Sequence, residues 1–126
     1  MPKQLIPRYT NYKELLCYQK AVIIYDLTYH FCKRFIDTKD RTYDQMIQAA
    51  RSGKQNIVEG HADMATSKES GIKLFNVARG SLLELLEDYR DYLRVHNMRL
   101  WEDYSEEAST MAKLGVEHND PKYFIE

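Results

Sequence analysis

Between Asn11 and Ile36 apolar side chains recur at helical spacing in two adjoining rows. One runs through Cys17, Ala21, Ile24, Phe31 and Phe35, the other through Tyr18, Val22, Tyr25, Tyr29, Cys32 and Ile36. A period near 3.6 predicts a helix over about 12–36, with an apolar arc wider than one bundle contact requires. The polar stretch DTKDRT, residues 37–42, reads as a turn. After it Tyr43, Ile47, Ala50 and Ile57 mark a second helix over about 42–60, ending near Gly60. Thr66 and Glu69 form a T-x-x-E capping box, which predicts a third helix over about 67–97. Phe75, Ala78, Leu82, Leu86, Tyr89 and Leu93 line one face of that helix, and Lys73, Glu84, Glu87, Asp91 and Arg94 the opposite one. There Glu87 with Arg90, and Asp91 with Arg94, are placed for i,i+3 ion pairs. A shorter helix is expected over about 101–115, closed by Gly115. From about residue 116 the chain reads as a loosely held tail broken by Pro121. No stretch alternates over strand lengths and no segment repeats, so the fold class is all-α, with short connections imposing antiparallel neighbours.

The stretch AARSGKQNIVEG, residues 49–60, contains Gly53 and Lys54 in a setting that resembles a phosphate-binding loop. Such a loop requires G-x-x-x-x-G-K-[ST] after a buried strand, so that glycine amides curl around phosphates and the hydroxyl reaches magnesium. Here no glycine lies five residues before Gly53, Gln55 stands where the hydroxyl is needed, and no strand precedes. Within a helix, Ala49, Ala50 and Gly53 form a small patch that admits a second helix closely, and Ala78, Gly80 and Ser81 supply a matching patch on the third. Gly60 is expected in the left-handed conformation that stops a helix. Asn56 and Glu59 are then placed to satisfy backbone donors in the turn toward Ala65, with Glu59 alternatively pairing with Arg79 or Arg51.

The remaining chemistry is sparse. His61 and Asp63 form H-x-D, which lacks the spacing of a specific metal site. His30, His96 and His118 are isolated, so no metal and no cofactor is expected, and no catalytic residue is assigned. The ten tyrosines suit core and interface filling better than base stacking. A chain of 126 residues, 44% hydrophobic and 29% charged, is one domain over 1–126 with one core. Cys17 and Cys32 lie fifteen residues apart in one predicted helix, roughly 22 Å along its axis, too far to pair. No signal peptide and no membrane span is recognised, so the expectation is a cytoplasmic protein with no membrane partner.

The segments YQKAVIIYDLTYHF, NIVEG and NVARGSLLELLEDY, in this order, resemble the four-helix bundle family named for the protein encoded in intervening sequences of 23S ribosomal RNA genes. The resemblance covers about Tyr12 to Tyr92. Asn56, Glu59, Gly60, Arg79, Ser81 and Glu84 match positions of its N-I-x-E-G and A-R-G-S-L-x-E-L marks, which are taken as structural. It implies an antiparallel up-down bundle assembled into a cyclic homopentamer, with no enzymatic activity. A relative, the accessory variability determinant of diversity-generating retroelements, is a pentameric barrel that binds nucleic acid and a reverse transcriptase. The family ends in a long fourth helix, whereas here a short segment and a tail follow the third, so the fourth helix is expected to be short or missing.

The net charge of −1 conceals an asymmetry, because residues 1–79 carry 13 Lys and Arg against 8 Asp and Glu, and residues 80–126 carry 5 against 11. In an up-down-up arrangement Lys13, Lys20, Arg51, Lys54, Lys68, Lys73 and Arg79 are expected at the end where the second helix stops and the third begins. A basic ring repeated in an oligomer is a surface for phosphates. The leading expectation is therefore a non-enzymatic oligomeric scaffold whose first helix is buried between copies and which binds RNA, DNA or a nucleic-acid enzyme. The alternatives are a protein-protein interaction adaptor without nucleic-acid contact, and an enzyme with its site between subunits.

Overall fold

The computed structural model describes residues 11–98, 110–111 and 113–114. A single 3-10 turn, Tyr12–Glu14, leads into α1, Leu16–Phe35, followed by α2, Arg41–Met64, and α3, Lys68–Val95. Among the described residues there is no strand, as the sequence leads one to expect. Thr110, Met111, Lys113 and Leu114 are helical too, inside the span expected for a further short helix. The rest of that span and the tail from 116 lie outside the described residues.

The expected 12–36 helix is broken near its start. Leu15 is extended, with φ −68° and ψ 129°, and it separates the 3-10 turn from α1. Asn11 fixes that turn by accepting from the Lys13 amide at 3.0 Å. At the far end Ile36 leaves the helix with φ −119°, and its side chain stays buried beneath the connection. Asp40 then caps α2, its carboxylate accepting from the Thr42 amide at 2.9 Å.

Two sequence expectations at the other end of α2 are corrected. Gly60 does not stop the helix: α2 runs four residues further, and no described glycine has positive φ. Gly60 is instead a packing residue, because a Cβ there would lie 3.1 Å from the Gly71 carbonyl oxygen and 3.1 Å from the Phe75 ring. The capping box also fails. Ser67, not Thr66, caps α3 by accepting from the Ser70 amide at 3.2 Å, while the Thr66 hydroxyl donates back to the Asp63 carbonyl at 3.3 Å. Shifting the cap by one residue leaves Glu69 on the exposed first turn, and Asp63 takes its place in tying the turn by accepting from the Ser70 hydroxyl at 2.7 Å.

Three connected helices alternate in direction. Gly60 meets Gly71 next to the short connection, and Gly53 meets Leu82 further away, which is the pairing of an antiparallel hairpin. Ser52 and Ser81 confirm the register, their hydroxyls 2.9 Å apart. Of the two small patches expected to meet, Ala49, Ala50, Gly53 and Ala78 are all buried, but mainly against larger residues: Gly53 against the Leu82 side chain, Ala49 and Ala50 in the cluster with Leu85, and Ala78 in that with Ala21 and Ile57. Gly80 takes no part, being exposed on the outer side of α3.

The core has two centres. The larger gathers Cys32, Ile36, Met46, Ala49, Ala50 and Leu85, and the smaller joins Ala21, Ile57 and Ala78 with Leu15, Tyr18 and Phe75 around them. On α3 the buried residues are Gly71, Ala78 and Leu85, spaced by seven, so Leu85 takes the place expected of Leu86. Leu86 is 42% exposed. On α1 the residues from the two predicted rows are joined by Ile23 and Thr28, which the apolar pattern omits. Thr28 is fully buried, and its hydroxyl lies 2.7 Å from that of Tyr89 across the α1–α3 contact.

These contacts fix how the glycines respond to substitution. A Cβ on Gly71 would lie 2.9 Å from the Gly60 carbonyl oxygen, a backbone atom that moves only if α2 moves. Gly71→Ala is therefore expected to destabilise by ~1–3 kcal/mol. A Cβ on Gly80 meets nothing within 4 Å, so Gly80→Ala is expected to stabilise by ~0.5–1 kcal/mol through helix propensity alone. Paired thermal melts check this, with Tm falling for the first and rising for the second. Gly53→Leu and Ala78→Leu belong with the destabilising class, Gly53 because Leu82 already lies 2.6 Å from the position of its Cβ.

Candidate interaction surface

The seven basic residues singled out in the sequence are not gathered at one place. Lys13 in the 3-10 turn, Lys20 in the second turn of α1, and Lys68 and Lys73 in the first turns of α3 share the end of the bundle with the α2–α3 connection. Lys54 lies roughly 15 Å up α2 from its end, Arg51 roughly 20 Å up, and Arg79 roughly 17 Å along α3, by the rise of an α-helix. Lys54 has a defined partner there, its ammonium 4.6 Å from the centroid of the Tyr25 ring. The helical rise thus spreads over the flank a set that element order alone assigns to one end.

The residues matched to the family marks divide in the same way. Asn56 caps nothing: its amide donates to the Ser52 carbonyl at 2.8 Å and to the Ser52 hydroxyl at 3.0 Å, within the helix. Through Ser52 and Ser81 it forms a short polar relay between α2 and α3. Gly60 is the close-approach residue described above. Glu59 and Glu84 are exposed. Among the described residues the ion pairs are Arg90–Glu87 at 3.1 Å and Arg94–Asp91 at 3.3 Å, the two i,i+3 pairs expected from the sequence, and Glu59 pairs with neither Arg51 nor Arg79. On a surface such pairs are worth little.

Two surfaces were not foreseen. One is an apolar groove of about 570 Å³ between the start of α1 and the middle of α3, with Cys17, Phe75, Ala78, Leu82, Leu83 and Leu86 on its walls and Arg79 at its edge. Further along the same pair of helices a second hollow of about 380 Å³ is lined by Ile24, Leu27, Thr28, Phe31 and Tyr89. The signal was present in the sequence as the doubled leucines Leu82-Leu83 and Leu85-Leu86. One member of each pair is needed inside, and its neighbour, a hundred degrees round the helix, widens the apolar arc.

The other is an acidic hollow of about 350 Å³ at the opposite end of the bundle, where Asp37, Asp40, Asp88 and Asp91 approach Tyr92 and His96. Burial raises the Asp88 carboxyl above its ordinary value, and the charges of Asp91 and Glu84 push in the same direction. Burial also pushes the Cys32 thiol up to about 11, with Asp88 adding to it. Tyr89 is raised by burial as well, opposed by its hydrogen bond to Thr28. Among the described residues no group of three metal-ligating side chains forms, and no helix is long and apolar enough to cross a membrane. His61 keeps a buried Nε2 without a hydrogen-bond partner, and Asp63, the other half of H-x-D, is engaged by Ser70.

The fold defines an all-α protein whose described helices form a three-helix antiparallel unit with one apolar face open between α1 and α3. Comparisons with family models, with curated proteins and with solved structures find no match for this chain.

Two outcomes follow from the titrating groups. Asp88 binds its proton more tightly folded than unfolded, so its contribution lowers stability as pH rises from the ordinary carboxylate range through its folded value. Asp88→Asn is expected to raise Tm at pH 7 and to leave it little changed at pH 3, which melts at the two pH values test. Cys17 is exposed whereas Cys32 is buried with a raised thiol, so a thiol reagent at pH 8 should modify one cysteine in the folded protein and two in denaturant, read by mass.

Proposed function

We propose that this protein is a non-enzymatic, self-associating scaffold that acts in the cytoplasm. The observation that carries the reading is the open apolar groove along α1 and α3, whose walls leave Leu83 50% and Leu86 42% exposed. Apolar surface of this kind on a helical bundle is an association site rather than a stable solvent boundary. Two free thiols, one of them exposed, suit a reducing compartment. The resemblance to the intervening-sequence family supports assembly as a closed ring, with five copies as the stoichiometry to test.

The cargo we assign is RNA or DNA, or an enzyme that works on them, held at the end of the bundle that carries Lys13, Lys20, Lys68 and Lys73. The apolar lining of the groove supports the alternative, a protein-protein interaction adaptor without nucleic-acid contact, because it recruits polypeptide and not phosphate. Measuring the native mass with any bound nucleic acid retained separates the two. For the scaffold reading, a salt-dependent shift with RNA or DNA is expected at ~50 mM salt, where phosphate contacts are strongest. Lys68→Glu with Lys73→Glu should weaken it similarly for all sequences and flatten the salt slope by about one per lysine. Absence of any shift leaves the adaptor, and a monomer at micromolar concentration ends the self-associating scaffold.

A further inference from the structure

We draw no further inference here: the strongest candidate, the apolar groove between the start of α1 and the middle of α3, is an unpartnered apolar face, and nothing in the structure shows what covers it.

Discussion

The close approach of α2 to α3 is the constraint on which the rest of the structure depends. It is set where Gly60 of one helix meets the backbone of Gly71 on the other, and where Gly53 leaves room for the Leu82 side chain, so that a larger residue at any of these glycines would hold the helices apart. Glycine within a helix costs about 1 kcal/mol relative to alanine, a cost that only a tertiary contact offsets. Because α2 and α3 are drawn together here, Met46 and Leu85 are enclosed near the far end of the hairpin, and Ser52 reaches Ser81 between them. The polar relay from Asn56 through Ser52 follows from the same closeness, since hydroxyls on facing helices bond directly only when the backbones nearly touch.

This explains which parts of the fold were legible from residue types. Long helices and their order follow from a 3.6-residue period sustained over twenty or more positions, a signal that survives local irregularity. The exposed ion pairs Glu87–Arg90 and Asp91–Arg94 were legible because i,i+3 geometry is a property of the helix alone. Gly60 was misread because a glycine near a helix end satisfies two rules at once, the left-handed stop and the close contact. The sequence window does not contain Gly71 and Phe75, the partners that decide between them. The cap shifted from Thr66 to Ser67 for a similar reason, two hydroxyl residues in succession with the choice made by how Asp63 and Ser70 meet.

The basic residues show where sequence order stops being a guide to position. Assigning Arg51, Lys54 and Arg79 to one end treats a helix as a point, whereas over its length the same residues lie along a flank. Lys54 illustrates the consequence: level with the middle of α1, it meets the face of Tyr25, and its charge is directed to an aromatic ring. The four lysines that do share the end belong to three separate elements, and it is the chain reversal at 65–67 that brings α3 back to α1 there.

Whether an open apolar face is a usable surface depends on whether its two walls hold a fixed separation. Here α1 and α3 are joined by the Thr28–Tyr89 hydrogen bond and by Phe31, whose ring lies 5.0 Å from that of Tyr89 and 4.9 Å from that of Tyr92. Thr28 has no exposure, so its hydroxyl must be satisfied inside the protein, and Tyr89 is the partner that satisfies it. Separating the walls would break that bond and part three aromatic rings together. Toward Cys17 and Phe75 lies the groove itself, with Ile57 of α2 and the small Ala78 of α3 among the residues that line it. An apolar hollow with a braced end keeps its shape without an occupant, and therefore presents to one a surface that costs little further ordering.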